Sequence, residues 1–250
     1  MAHSKVNCIA HRGASGRGLA PENTLIAFEK AIEIGVDAIE IDVHQTKDGE
    51  IVVCHDASLD RTTDTHGAIR EMTLSQIRRA DAGVRFSEAF AGERIPTLKE
   101  ALDVMKGKAL ALIEIKPEDI TRSVLQVIEE MGAKDEVVVQ SFHREVVRQV
   151  TEMGSDIPRA LLIGGGPREK GQRWAIRWSH NVAAVGASTL SLSYGAVTPT
   201  LVEEVHRRGI HLWVWTVDEE ENMKWMIEAG VDGIISNYPD RLTRALRGAP

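Results

Sequence analysis

The sequence AIEIDVHQTKDGEIVVCHD, residues 38–56, contains two short apolar segments separated by a polar turn. Because alternate side chains of a strand point to opposite faces, residues 38–44 predict a strand with an apolar back and a front that carries Glu40, Asp42 and His44. Two carboxylates two positions apart lie about 6.6 Å from each other along a strand, so both can lean onto one ion. We therefore interpret Glu40 and Asp42 as candidate metal ligands.

The second half of this stretch predicts that the chain returns to the same place. Residues 47–50 are typical of a hairpin turn, and residues 51–54 predict the returning strand. His55 follows that strand directly. The hairpin is therefore expected to bring a histidine beside the two carboxylates.

Outside this hairpin, the chain alternates between short apolar strands and helical patterns that end at a glycine. Eight strands are predicted for the alternation, at residues 6–10, 38–44, 109–115, 137–140, 159–163, 185–190, 210–216 and 233–236. Eight such units in 250 residues favour an α/β fold of the (β/α)8 TIM-barrel type over an open doubly wound sheet. We expect one domain over residues 1–250.

Two stretches interrupt the alternation. Residues 56–96 predict a small insertion after the second strand, with a short helix at residues 74–80. Residues 164–181, which begin GGGPREKGQRW, predict a long surface loop.

Capping patterns predict where some helices begin. Thr97 three residues before Glu100 fits the capping box, in which each side chain satisfies a backbone amide at the first turn. Thr200 before Glu203 fits the same pattern. Both threonines are therefore expected to be N-cap residues.

Composition limits the possible classes of function. The chain is 43% hydrophobic and 27% charged, with a net charge of −7, and it has no basic stripe that would suit a nucleic acid. No apolar run approaches the roughly 18 residues of a membrane helix, and the N-terminus lacks a signal-peptide pattern. We expect a cytoplasmic protein without membrane insertion, and the sequence leaves its oligomeric state open. Cys8 and Cys54 are expected to be buried free thiols within strands rather than a disulfide.

Polar side chains gather at the C-terminal ends of the predicted strands, where (β/α)8 barrels hold their active sites. His11 and Arg12 end the first strand, and Glu114 and Lys116 end the third. Trp215 lies near the end of the seventh. These residues are therefore expected to meet Glu40 and Asp42 at one end of the barrel.

Three acids in a barrel mouth, Glu40, Asp42 and Glu114, repel one another unless a cation joins them. Oxygen ligands suit one hard divalent ion, Mg²⁺ or Ca²⁺, better than zinc. The alternative is that these acids only form structural ion pairs with Arg12 or Lys116.

The histidines next to these acids are candidates for proton transfer. His11 and His55 both lie at strand ends, which favours general acid and base roles over structural ones. His44 is a candidate supporting residue. Trp215 is either a core residue or a wall of the substrate pocket.

Several spaced motifs can be read along the chain. They are HRG at 11–13, PENT at 21–24, EIDVH at 40–44, TKDG at 46–49, HD at 55–56, LDRTT at 59–63, IPTL at 95–98, EIK at 114–116, SF at 141–142 and WTV at 215–217. Together they resemble the glycerophosphodiester phosphodiesterase family, densely over residues 11–116 and more sparsely afterwards. Residues 164–181 match no motif of that family.

This resemblance implies a TIM-type barrel with a small insertion after the second strand. It also implies hydrolysis of a small-molecule glycerophosphodiester, such as glycerophosphocholine, to sn-glycerol 3-phosphate and an alcohol. The implied roles are metal binding by Glu40, Asp42 and Glu114, acid/base catalysis by His11 and His55, phosphate binding by Arg12 and Lys116, and a pocket wall formed by Trp215.

Two other functions fit part of the pattern. A lysine at a strand end beside a carboxylate, such as Lys116, also suits a Schiff-base aldolase that needs no metal. A phosphate-binding or scaffold protein without catalysis is a second alternative, because a fold does not determine a function.

Overall fold

The computed structural model describes residues 5–153, 156–164 and 172–248 of the 250-residue chain. In chain order its strands and α-helices are β1 (Asn7–His11), α1 (Leu25–Ile34), β2 (Ala38–Gln45), β3 (Ile51–Val53), α2 (Leu74–Ile77), α3 (Leu98–Met105), β4 (Leu110–Ile115), α4 (Thr121–Glu130), β5 (Val137–Ser141), α5 (Arg144–Glu152), β6 (Arg159–Ile163), α6 (Gln172–Ala184), β7 (Thr189–Ser193), α7 (Pro199–His206), β8 (His211–Trp215), α8 (Glu220–Ala229), β9 (Gly233–Ser236) and α9 (Pro239–Arg247).

Eight of these strands form a closed parallel barrel. Its order is β1-β2-β4-β5-β6-β7-β8-β9, and pairing of β9 with β1 closes the ring. The short β3 pairs antiparallel with the end of β2 and stands outside the ring. Helices alternate with the barrel strands, so the predicted (β/α)8 TIM-type fold is confirmed.

Successive side chains of β2 point alternately outward, to the core between barrel and helices, and inward, to the interior of the barrel. Ile39, Ile41 and Val43 are fully buried against the surrounding helices. Ala38 instead packs inside the barrel, where it meets Leu112 and apolar residues of three other strands. Since Glu40 and Asp42 share the face of Ala38, the same alternation directs both carboxylates into the barrel.

The insertion between β3 and α3 has an apolar cluster of its own. Leu59, Ile69 and Ile77 are buried there against Val52 and Cys54, at and just after β3. The predicted helix at residues 74–80 is present but shorter, as α2. The insertion is thus packed against the hairpin that leads to His55.

Two predicted boundaries were wrong. The strand expected at residues 185–190 is β7, Thr189–Ser193, because the backbone amides of Val185 and Gly186 still donate to the carbonyl oxygens of Val182 and Ala183 at the end of α6. The loop expected at residues 164–181 is helical from Gln172 onward, since buried Ala175, Trp178, Ser179 and Val182 recur at helical spacing. Residues 165–171 of that stretch lie outside the described residues.

The helix caps were predicted with mixed success. Thr97 and Glu100 form the expected capping box. Thr200 is not a cap, because α7 begins earlier, with Thr198 as N-cap and Pro199 in its first turn. Proline is favoured at that position since it has no amide hydrogen to leave unpaired.

Two further expectations concern membranes and thiols. Among the helices that the structure describes, none combines the length and the apolar character needed to cross a membrane. Cys8 and Cys54 are buried free cysteines, as predicted.

The cap of α7 can be tested by two substitutions of neighbouring threonines. Thr198→Ala should lower the free energy of unfolding by about 0.5–2 kcal/mol, because the Leu201 amide loses the side-chain oxygen 3.2 Å away. The exposed Thr200, already inside the helix, should tolerate alanine within about 0.5 kcal/mol. Urea denaturation measures both changes, and equal losses would show that the cap is wrongly assigned.

Candidate active site

Three carboxylates meet at the C-terminal end of the barrel. Glu40 and Asp42 project inward from β2, and Glu114 projects from β4, where its backbone is in register with Asp42. One oxygen from each lies within 4.8 Å of the others. Their exposed fractions are 1%, 0% and 6%, so water can hardly stabilise their charges.

Two cationic side chains lie against this acidic cluster, which we define as Glu40, Asp42 and Glu114. Lys116 Nζ donates to Glu114 Oε1 at 2.7 Å and lies 2.8 Å from Asp42 Oδ1. Arg12 Nε lies 3.3 Å from Asp42 Oδ2. Within the described part of the chain, no lysine or arginine side chain pairs with Glu40 in this way. Two positive charges therefore face three carboxylates.

This imbalance appears in the pKa values of the cluster. Burial opposes ionisation of Asp42, but Lys116 and Arg12 outweigh it and lower the pKa of Asp42 to about 2. Burial and the charge of Asp42 raise the pKa of Glu114 to about 6. Burial and the negative charges of Asp42 and Glu114 raise the pKa of Glu40 well above its usual value. A divalent cation among the three oxygens would relieve this repulsion, and an all-oxygen donor set suits a hard ion.

The turn after β1 brings backbone groups to the cluster. Arg12 has a left-handed backbone, with φ +58°, and its amide donates to Glu40 Oε2 at 3.0 Å. Gly13 follows with φ +82°, and a Cβ there would lie 2.7 Å from the Cβ of Ala27. Only glycine fits so tight a turn without strain. Asn23 Nδ2 then donates to Asp42 Oδ2 at 2.9 Å.

His11 is the last residue of β1 and faces the same mouth. Its Nε2 lies 4.0 Å from Glu40 Oε2, and its Nδ1 lies 2.7 Å from the side-chain oxygen of Asn237. Burial, together with the nearby positive charge of Arg12, lowers the pKa of His11 to about 4. His11 is therefore neutral near pH 7.

His55 lies at the opposite side of the mouth and is held by a network of ion pairs. Its Nδ1 lies 2.6 Å from Asp56 Oδ1, and Asp56 Oδ2 accepts from Arg61 at 2.5 Å. The guanidinium of Arg61 also donates to both oxygens of Glu22, at 2.7 and 2.8 Å. Glu22 in turn accepts from Arg12 at 2.9 Å. These ion pairs connect the insertion to Arg12, which contacts Asp42.

Aromatic and supporting residues complete the mouth. Trp215, at the end of β8, packs edge to face on Phe142 with ring centroids 5.5 Å apart. Its buried Nε1 has no hydrogen-bond partner among the described residues. His44, on the inner face of β2, lies with Nε2 3.2 Å from the backbone oxygen of His55, which is consistent with a supporting position.

The structure brings all the sequence-predicted site residues to one end of the barrel, and it adds others. Asn237, Asp218, Glu22, Asp56 and Arg61 were not among the predicted site residues. Asn237 directly follows β9, so the strand-end rule could have found it. The partners of Arg61 could not be found in this way, because they depend on how the insertion folds.

The fold and the site together define a class of protein. It is a (β/α)8 barrel whose mouth combines an acidic cluster that could hold a metal ion, two cationic side chains and two histidines. Such a mouth suits metal-assisted chemistry on an anionic substrate.

Comparison with known proteins specifies this class further. Residues 11–241 match the model of the glycerophosphoryl diester phosphodiesterase family. A glycerophosphodiester phosphodiesterase from Caldanaerobacter subterraneus subsp. tengcongensis is 40% identical over 97% of this chain and 98% of its own length. The chain therefore belongs to the glycerophosphoryl diester phosphodiesterase family, a family of phosphoric diester hydrolases.

Solved structures agree with this assignment. An Oleispira antarctica phosphodiesterase in complex with the product sn-glycerol-3-phosphate has a TM-score of 0.87 and 27% identity, covering 96% of each chain. A glycerophosphoryl diester phosphodiesterase of putative function from Silicibacter pomeroyi has a TM-score of 0.86 and 31% identity, covering 98% of this chain and 94% of that one.

The network of Arg61 can be tested against a matched arginine. Arg61→Gln should lower kcat/KM about 10–100-fold, because Asp56 and Glu22 lose the group that holds them beside His55 and Arg12. Its free energy of unfolding should fall by no more than about 1 kcal/mol, as is usual for exposed ion pairs.

Arg148→Gln is the control for this experiment. Arg148 also bridges two carboxylates, Glu145 and Glu152, and its side chain is 50% exposed against 48% for Arg61. It lies on α5, outside the mouth, so its substitution should leave kcat/KM unchanged. Equal activity losses in both variants would refute the special role of the Arg61 network.

Proposed function

We propose that this protein hydrolyses glycerophosphodiesters such as glycerophosphocholine to sn-glycerol 3-phosphate and an alcohol, with one bound divalent cation. The observation that carries the proposal is the buried cluster of three carboxylates, which its two cationic neighbours do not neutralise. Family membership and the product-bound relative support the choice of a glycerol phosphate ester.

The proposed metal ligands are Glu40, Asp42 and Glu114. The ion is Mg²⁺ or Ca²⁺, because both prefer carboxylate oxygens. When bound, it would supply positive charge for the non-bridging oxygens of the phosphodiester. Its presence would change the charge of the site from about −1, with all three carboxylates ionised, to about +1 before the substrate binds.

Arg12 and Lys116 are the proposed phosphate-binding residues. Both already contact Asp42, and each has a second carboxylate partner, Glu22 for Arg12 and Glu114 for Lys116. Trp215 is proposed to line the pocket as a half-buried ring that packs edge to face on Phe142.

His11 and His55 are the proposed acid/base pair. Phosphodiester hydrolysis requires a group that takes a proton from the attacking oxygen and a group that gives a proton to the leaving alkoxide. His11 is neutral near pH 7 and can accept a proton, whereas Nδ1 of His55 lies 2.6 Å from a carboxylate oxygen of Asp56, an arrangement that orients the ring. We therefore assign the base to His11 and the acid to His55.

The Schiff-base alternative is disfavoured by the state of Lys116. Imine formation requires a neutral amine as the nucleophile. Burial lowers the pKa of Lys116, but the carboxylates of Asp42 and Glu114 outweigh burial and raise it above its usual value. Lys116 therefore stays protonated and acts as a charge.

The direct test is an assay of purified protein with glycerophosphocholine, with and without EDTA. EDTA should abolish the release of glycerol 3-phosphate, and Mg²⁺ or Ca²⁺ should restore it. Glu114→Gln should weaken metal affinity and turnover together, since it removes one charged ligand. Unchanged turnover after exhaustive chelation, with calorimetry showing no bound ion, would refute the metal assignment.

The same cluster predicts how the metal effect depends on pH. Glu114 and Glu40 have raised pKa values in the folded metal-free protein, so both stabilise the fold at low pH, and Glu114 loses this contribution as pH rises through about 6. A cation compensates for the loss only when these groups are ionised. The increase in Tm on adding Mg²⁺ or Ca²⁺ should therefore be larger at about pH 8 than at about pH 5.

The histidine roles are tested by alanine substitution. His11→Ala and His55→Ala should each lower kcat by roughly 10²–10⁴ while the circular dichroism spectrum is retained. The double variant should lose less than the product of the two, because both groups serve one reaction. Near-wild-type turnover of a folded His55→Ala protein would remove His55 from the mechanism.

A further inference from the structure

Two residues outside the acidic cluster lie behind His11: Asn237 contacts its ring, and Asp218 contacts Asn237. Asp218 follows β8 and Asn237 follows β9, so both lie at the C-terminal end of the barrel. Asn237 Oδ1 lies 2.7 Å from His11 Nδ1, and Asn237 Nδ2 donates to Asp218 Oδ2 at 2.7 Å. A series of hydrogen bonds therefore leads from a carboxylate through an amide to the imidazole.

The carboxylate determines the direction of the first hydrogen bond. An ionised carboxylate can only accept, so the group of Asn237 that faces Asp218 is its NH2. The backbone amide of Asn237 donates to the other oxygen of Asp218 at 2.9 Å, which fixes the two residues relative to each other. Turning the side-chain amide over would place two acceptors 2.7 Å apart. The oxygen of Asn237 is therefore held towards His11.

The amide oxygen determines which ring nitrogen of neutral His11 carries the proton. An acceptor 2.7 Å from Nδ1 requires the proton on Nδ1, and this leaves Nε2 with a free electron pair. The carboxylate oxygen of Glu40 is 4.0 Å from Nε2, beyond hydrogen-bond distance, and so does not compete for the proton. Ser15 Oγ lies 2.9 Å from Asn237 Oδ1 and 2.7 Å from the backbone oxygen of His11, and its one proton is donated to one of the two.

We propose that Asp218 and Asn237 are positioning residues that fix His11 in the Nδ1–H tautomer, with Nε2 facing the acidic cluster as a proton acceptor. The catalytic consequence rests on the proposed function, in which His11 is the base. There, the proton of the attacking water passes to Nε2, and Nδ1 keeps its own proton in its bond to Asn237. Without Asp218, the amide could turn over and stabilise the opposite tautomer, which has no electron pair at Nε2.

Asp218→Asn is the test, because it keeps the shape of the side chain but replaces an acceptor-only group by one that can also donate. Long-range ¹H–¹⁵N correlation spectra of protein labelled at histidine show which ring nitrogen is protonated, and loss of a signal in His11→Gln assigns it to His11. We expect Nδ1–H alone in the wild type and a mixture with Nε2–H in Asp218→Asn. Asp218→Glu, which keeps a carboxylate, should restore Nδ1–H.

Asp103→Asn is the matched control, since Asp103 is exposed on α3. It should leave both the His11 spectrum and turnover unchanged. Asp218→Asn should lower kcat about 10–100-fold with little change in KM, because it acts through the orientation of a catalytic group.

Two results would overturn the proposal: a wild-type His11 protonated at Nε2, or an Asp218→Asn spectrum identical to that of the wild type. The wild-type spectrum alone tests the tautomer, so a variant that fails to fold does not remove the test. A shifted tautomer with undiminished kcat would refute the proposed role of His11 as base and would support the positioning by Asp218.

Discussion

Like charges buried at one end of the barrel are the constraint on which the rest of the site depends. Two carboxylates about 5 Å apart repel each other by roughly 3 kcal/mol at an effective dielectric constant near 20. Glu40, Asp42 and Glu114 form three such pairs, almost without access to water. Lys116 and Arg12 offset part of this repulsion, and the raised pKa values of Glu40 and Glu114 reflect the part that remains. The fold can hold the acids together because the burial of two central strands fixes their backbones.

The placement of these acids is achieved by the backbone rather than by flexible side chains. The register of β2 with β4 puts Asp42 beside Glu114, and the register of β1 with β2 puts His11 beside Glu40. A shift of one residue in either pairing would direct these side chains into the outer core, where Ile39, Ile41 and Val43 pack. The apolar back of β2 therefore secures the position of its charged front.

The sequence predicted the barrel and the meeting of the acids because both follow from local periodicity. The alternation of β2, and the rule that sites lie at strand ends, were sufficient for Glu40, Asp42 and Glu114. The sequence did not predict the left-handed backbone of Arg12, which points its amide at Glu40. It also missed Asp218, whose role depends on how β8 and β9 lie side by side.

The start of α7 was also predicted wrongly. Thr200 fits a capping box as well as Thr97 does, but Pro199 and the hydroxyl of Thr198 begin α7 two residues earlier. Thr198 followed by Pro199 is itself typical of a helix start, because proline is favoured in the first turn, so the sequence contained the signal for this boundary.

The surroundings of the two histidines explain why one mouth can hold both a base and an acid under the proposed mechanism. Both rings have Nδ1 engaged, His11 with the amide of Asn237 and His55 with the carboxylate of Asp56. The partner of His11 is a neutral amide, and burial with Arg12 nearby disfavours a charged ring. The partner of His55 is the Asp56 carboxylate, which can balance a positive ring. Under the proposed mechanism, the groups behind the rings, rather than the histidines themselves, therefore make the two roles different.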